Sequence, residues 1–488
     1  MQTCITHGTI KFTKDAPVQS SGSTYNLYLA KNEGEGCQIA LRSETAMENL
    51  SIQCTGAGLE TEILREHTLN ANGKEYPDPL TPVSAPISVP ADTTVVFYIR
   101  FRTGKNTPAG EYLYTVTLTD GMAWKAEYTI TAHVWDFVLP DTSACATAVG
   151  INKEFIGRFH ETDDPDRIDA LYREYYELLL SHKLSAYDIP YDLLDDRADA
   201  YLNDPRMTSF TVPCCDGDDE KLVKIYKKLS ANPMWLAKSC FYPVDEPSSM
   251  KLLEKLARCS ERLKRLAPGI RICTPYYSNI QVDDENDQTC YMVGKTTLWC
   301  PQSPLFVTRN FYTPYQWEHY PEYPQRMMER KAAGDGLWWY VCWGPRDPYC
   351  NLFIDQQAIK HRILFWQQYL QKVDGFLYWS CNYWEIIGNP WVDMATVKFL
   401  SPEVFGDGSL VYNGNPAGID GVCPSLRLEA LRDGVEDFDY LKLAEEKFGR
   451  EWVLETMKDV TTGMTEYTTD DEIFASVRRK IGYALAGE

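Results

Sequence analysis

The chain of 488 residues is too long for a single ordinary core, and its 44% apolar and 24% charged side chains exclude a disordered or collagen-like protein. With 69 acidic against 48 basic residues, the formal charge of −21 argues against nucleic acid or an anionic membrane as partner and for a neutral or cationic one. Aromatic residues make up 13%, including 31 Tyr and 13 Trp, and such rings can cover the flat C–H faces of sugars. The 15 cysteines lack the paired spacings of a zinc site or a secreted disulfide framework, and the 7 histidines are scattered. The start "MQTCITHGTIKF" has no basic and apolar leader pattern, and no run of 18 apolar residues occurs, so a cytoplasmic protein without a membrane span, metal or cofactor is expected.

Residues 1–140 read as an accessory β-sandwich. "TTVVFYIRFRT", "GEYLYTVTLTD" and "AEYTITAHVWDF" alternate as strands, with "TPAGEY" and "TDGMAW" as the turns between them. After "FVLPDTS" the rhythm becomes strand, helix, strand, helix. "CATAVGI", "LSAYDIP", "SFTVPCC", "WLAKSCFYPV", "IRICTPYY", "TTLWCP", "GLWWYVCWGP" and "GFLYWSCNYW" are the eight expected strands. The helices between them include "RIDALYREYYELLLSHK", a weak one near 193–202, and "SSMKLLEKLARCSERLKRLAPG", with Leu252, Leu256, Cys259, Leu263 and Leu266 at helical spacing. The last is "PSLRLEALRDGVEDFDYLKLAEEKFG", whose charges read as ion pairs on a solvated face. Eight such units predict an α/β protein with a (β/α)8 TIM barrel over 141–488, including C-terminal helices. No Gly-x-Gly-x-x-Gly turn follows the first strand, which argues against a dinucleotide fold.

Barrel enzymes take their catalytic groups from the C-terminal ends of strands, and "VDEP" places Asp245 and Glu246 at the end of the fourth. Pro247 disfavours helical geometry at Glu246, and Ser248 and Ser249 are available to cap the next helix, so the two acids are not needed for capping. Retaining glycosidases hold two carboxyls about 5–5.5 Å apart across the scissile bond, usually on different strands. Consecutive residues, with Cα atoms about 3.8 Å apart, cannot easily flank a sugar from two faces. They suit another scheme, in which one acid protonates the leaving oxygen and the other orients a 2-acetamido group that itself attacks the anomeric carbon. The seventh strand carries no carboxylate, which fits this scheme. A conventional pair of Glu246 with Glu385 or Asp188, and a barrel that binds carbohydrate without cleaving it, are the alternatives.

The stretches "VDEP", "WWYVCWGP", "NLFIDQQAIKHRILFWQQYLQKVDGFLYWSCNYW", "NPW", "GDGSLVYNG" and "PSLRLEALRDGVEDFDYL" occur in an order that resembles the catalytic domain of glycoside hydrolase family 123, the β-N-acetylgalactosaminidases and their relatives. The resemblance covers residues 145–448, and members also carry an N-terminal sandwich. It implies a glycan or oligosaccharide substrate, with Asp245 orienting the acetamido group and Glu246 acting as general acid and then base. Further candidates at strand ends are Tyr187 and Asp188, Tyr276 and Tyr277, Trp343, and Asn382, Tyr383 and Trp384, with Trp343 or Trp384 offering a slot for the acetamido methyl. Arg309 and Asn310 are candidates for sugar hydroxyls. His160 and His182 read as structural, and "DDEND" at 283–287 as a solvated loop, since it lacks the glycine and closing glutamate of a calcium loop.

Overall fold

A computed structural model describes residues 1–71, 73–308, 321–384, 389–394 and 404–488. The N-terminal part builds β1 (Gln2–His7), β2 (Thr24–Lys31), β3 (Gly34–Ser43), β4 (Met47–Thr55), β5 (Glu60–Ala71), β6 (Lys74–Pro82), β7 (Ile87–Val89), β8 (Thr93–Arg102), β9 (Gly110–Thr119) and β10 (Lys125–Val138). They form two sheets, ordered β1-β3-β8-β5-β6 and β2-β10-β9-β4-β7. Alternate residues such as Ile39, Phe97, Ile99, Val116 and Ile130 point between the sheets and are fully buried there, as a half-buried antiparallel strand requires.

The second sheet type is parallel. It consists of β11 (Ala146–Val149), β12 (Phe210–Thr211), β13 (Ser239–Phe241), β14 (Arg271–Tyr276), β15 (Leu298–Pro301), β16 (Gly336–Tyr340) and β17 (Gly375–Tyr378). The order β11-β17-β16-β15-β14-β13-β12 leaves one gap, between β11 and β12. Residues 185–187 fill it: Val149 N donates to Ser185 O at 2.8 Å, Tyr187 N to Val149 O at 2.9 Å, and Thr211 N to Tyr187 O at 2.7 Å. The expected second strand is therefore present as one short bridge, and the eight positions close a (β/α)8 barrel.

The period of two along each barrel strand divides its side chains. Phe241, Ile272, Trp299, Trp339 and Phe376 face the helical layer and join the main core. Ala148, Cys240, Cys273, Leu298, Cys300, Trp338, Tyr340 and Leu377 fill the barrel interior as a separate cluster.

Several local expectations change. "WLAK" belongs to a short helix, Pro233–Lys238, because Pro233 sits in its first turn and the Asn232 side chain accepts from Met234 N. In the helix Met250–Leu266 the buried face is Leu253, Leu256, Ser260 and Leu263, while Leu252, Cys259 and Leu266 are half-buried at its edge. The charged helix Leu426–Phe448 is not solvated: Arg427, Glu429, Arg432, Asp433, Glu436 and Asp437 are all buried against the sandwich and neighbouring helices. Its partners come from distant sequence, including Asp78 on β6 and Arg100 on β8, and Glu35 on β3 joins the network through Arg362, which also pairs with Asp433 and Asp437. His182 is buried in the same network, with Nε2 2.9 Å from Glu429 Oε1. In "DDEND", Asp287 is not a solvated residue; it pairs with Arg326 at 2.5 Å and caps the helix Gln288–Met292. All fifteen cysteines carry free thiols. No helix among the described residues is long and apolar enough to cross a membrane.

Candidate active site

β13 ends at Phe241, and the next residue, Tyr242, continues the inward alternation begun by Cys240. Its hydroxyl donates to Asp245 Oδ1 at 2.6 Å. Glu246 is approached from the other side, where Tyr340, inward-facing on β16, donates its hydroxyl to Oε1. Adjacent carboxylates are thus held by tyrosines from the fourth and seventh strands, over one barrel mouth. Asp245 is exposed and Glu246 half-buried.

The backbone at this point is unusual. Glu246 has φ of 40°, a left-handed conformation costing roughly 1–3 kcal/mol for a non-glycine residue. Ser248 N donates to Glu246 O at 2.7 Å, closing a tight turn about Pro247. The following helix has Ser249 at its N-cap position, so the acids are not spent on that role.

Burial pushes the Glu246 carboxyl up to about 7; the Tyr340 hydroxyl pulls it back, and the charge of Asp245 pushes it further up. Tyr340→Phe removes the bond that stabilises the ionised form. Glu246 then holds its proton to higher pH, and the basic limb of the kcat/KM profile on an aryl glycoside is expected to move upward. An unmoved limb would mean that Glu246 is not the group titrating there.

The other candidates separate into two groups. Tyr187 faces inward, edge-on to Tyr242 at 6.0 Å, with its hydroxyl buried and without a hydrogen-bond partner among the described residues. Asp188 follows it, exposed at the mouth. Tyr277 stands half-buried just beyond β14, on the side that alternation from Cys273 assigns to the interior, and Trp343 is 37% exposed beyond β16.

Three expected site residues face elsewhere. Tyr276 is buried outside the barrel, with its hydroxyl bonded to that of Tyr323, because it is one residue out of phase with Cys273. Asn382 is buried and spends its amide on the backbone of Asn152, accepting from N at 2.8 Å and donating to O at 3.0 Å. Trp384 is buried against Phe159 and Tyr175, and its indole donates to Ser409 Oγ at 2.9 Å, so it cannot form the methyl slot. Tyr383 is half-buried between Phe155 and Trp379. Arg309, Asn310 and Glu385 lie outside the described residues.

Sequence reasoning passed over Tyr242, Tyr340, Trp379 and Asp407. The two tyrosines and Trp379 follow from counting in twos from Cys240, Trp338 and Leu377. Trp379 is half-buried at the end of β17, packed on the Tyr383 ring at 4.7 Å, and its indole donates to Asp407 Oδ2 at 3.0 Å. Asp407 is buried, also accepts from Tyr378 at 3.1 Å, and is raised by burial to about 7. Gly408, at φ of 71°, lies under the Trp379 ring, where an added Cβ would come within 2.3 Å. Asp407 had no local signal in the sequence.

Residues 217–444, which include the acid pair and β13 to β17, match the family model described as glycoside hydrolase 123, catalytic domain. A solved family 123 glycoside hydrolase from Clostridium perfringens, in a study of glycolipid glycan hydrolysis, is similar over 99% of this chain and 98% of that one. The TM-score is 0.72 at 12% identity, which is a likeness of fold, including the sandwich.

Over residues 217–444 the chain is similar to the family 123 catalytic domain, and the protein is a glycoside hydrolase.

Other solved glycosidases resemble it only loosely. A family 5 xyloglucanase from Bacteroides ovatus aligns over 84% of this chain and 98% of its own, with 9% identity and a TM-score of 0.26. A family 39 enzyme from Bacteroides cellulosilyticus aligns over 84% and 81%, with 10% identity and a TM-score of 0.34. No curated protein sequence matches the chain. A glycoside hydrolase takes glycans as its substrate class, and the barrel mouth is the place where Asp245 and Glu246 meet solvent.

Proposed function

We propose that this glycoside hydrolase releases terminal β-linked N-acetylgalactosamine, or a close 2-acetamido sugar, with retention of configuration, by substrate-assisted catalysis. The observation that carries the reading is the consecutive pair Asp245-Glu246, anchored separately by Tyr242 and Tyr340 over one barrel mouth. Two carboxylates so placed reach one edge of a sugar and do not bracket its anomeric carbon.

In the first step Glu246, neutral at pH near or below its raised pKa of about 7, gives its proton to the glycosidic oxygen. The acetamido carbonyl oxygen forms a bond to the anomeric carbon as the bond to the leaving oxygen breaks. Asp245 accepts the acetamido N–H and offsets the positive charge that develops on the resulting oxazolinium ring. In the second step ionised Glu246 takes a proton from water, whose oxygen attacks the anomeric carbon; the ring bond breaks and the free sugar leaves. Two inversions give net retention. Trp379, fixed by Asp407, and exposed Trp343 supply apolar faces at the rim for the sugar and its acetamido methyl.

A thiazoline analogue of the intermediate tests this reading. It should inhibit competitively and bind the wild type far more tightly than the released sugar, as a mimic of a high-energy state does. Trapping of a covalent glycosyl-enzyme by a fluorosugar, with no inhibition by the thiazoline, would instead favour a carboxylate nucleophile.

A further inference from the structure

The β5–β6 hairpin of the sandwich reaches past its own sheet to the barrel. Met394 N donates to Asn70 O at 2.9 Å, Asn70 and Asp393 form a parallel bridge, and the His67 ring meets Trp391 edge-on at 5.6 Å. The hairpin is therefore fixed to the segment that follows β17. Between it and the loop that follows β16 lies a groove of about 390 Å³, a volume within the range of small-ligand sites, roughly 300–1,000 Å³.

Its lining is mixed in a particular way. Tyr76 and Phe405 stack at 6.5 Å with an interplanar angle of 28°, and Phe353 adds a third ring. Lys74 and Arg346 bring donors and Asp355 an acceptor; Lys74 and Asp355 are exposed. Cations and carboxylates in one groove disfavour a polyanion but suit hydroxyl groups, each of which both donates and accepts, while rings cover C–H faces. Two of its lining residues are close neighbours in sequence of residues at the mouth. Phe405 is two residues from Asp407, which holds Trp379, and Phe405 O accepts from Ile354 N of the seventh loop at 3.0 Å. Arg346 lies three residues beyond Trp343.

Building on the reaction proposed above, we infer that this groove binds the neutral sugar units on the leaving-group side of the scissile bond, so that the sandwich takes part in choosing the substrate. Tyr76 and Lys74, residues of the sandwich, then read a part of the glycan that the barrel does not cleave.

The test compares two substrates, an aryl 2-acetamido-β-galactoside and a neutral trisaccharide ending in β-linked N-acetylgalactosamine. For Lys74→Ala and for Tyr76→Ala, the ratio of kcat/KM on the trisaccharide to that on the aryl glycoside is expected to fall by about tenfold. Tyr76→Phe keeps the ring and should retain most of the ratio, which separates stacking from a folding defect. An unchanged ratio in both alanine variants overturns the inference. A wild type that turns over neither substrate overturns the proposed reaction instead, and calorimetric titration of the trisaccharide into wild type and variants still decides the groove. Weakening of Kd by about tenfold in the variants supports it, and equal Kd values or no binding to the wild type overturn it.

Discussion

Glu246→Gln is expected to lower kcat on an aryl 2-acetamido glycoside by roughly 10²–10⁴, the usual contribution of general acid–base catalysis. The amide keeps the size of the side chain and can still meet the Tyr340 hydroxyl, so the fold and the left-handed turn at residue 246 are preserved. What it lacks is a transferable proton and, in the second step, a basic oxygen. The loss should be smaller for an aryl group that leaves readily without protonation, because only the second step then needs residue 246. In the wild type, activity should decline as pH rises through about 7, since the protonated fraction of Glu246 falls there. Asp245→Asn removes the adjacent negative charge, so its residual activity should lose its basic limb at lower pH than the wild type. An unimpaired Glu246→Gln would remove Glu246 from the chemistry.

Asp78→Ala should destabilise the protein by about 3–5 kcal/mol, the cost of leaving a buried charge without its partner. Asp78 on β6 accepts from Arg427 Nε at 3.1 and 3.0 Å and from Nη2 at 2.8 Å, and both side chains are fully buried. Arg427 also donates to Leu352 O at 2.8 Å, to Gly406 O at 2.7 Å and to Ser409 O. One guanidinium thus joins the sandwich, the loop after β16 and the segment that carries Asp407. The expected readout is a large drop in the denaturant midpoint, accompanied by loss of activity at temperatures where the wild type is stable. A midpoint within experimental error of the wild type would show that the two parts do not depend on this pair.

The alternation of the sandwich strands and the strand–helix rhythm after residue 140 were legible because each rests on local periodicity. So was the acid pair, whose position follows from chain order alone. Burial of the charges on Leu426–Phe448 was not legible, because what covers them is contributed by Asp78 and Arg100, more than three hundred residues earlier, and by Arg362, which Glu35 holds in turn. Tyr276 and Tyr277 show a different limit: both lie at the end of β14, and a phase error of one residue exchanges the barrel interior for the helical layer. Trp384 and Asn382 failed for a third reason. The chain leaves the strand after Tyr378 and turns back under the rim, where Ser409 and Asn152 engage both side chains, and no spacing in "GFLYWSCNYW" signals that turn. Tyr242 and Tyr340 were recoverable by a stricter count along β13 and β16, and they are the residues that orient the two acids.

The most direct test of the central claim compares kcat/KM for matched aryl glycosides that differ only in carrying a 2-acetamido or a 2-hydroxyl group. Because the acetamido oxygen is the attacking atom in this account, the 2-hydroxyl compound should show no turnover above background while the 2-acetamido compound is cleaved with retention. Comparable turnover of the two would contradict it.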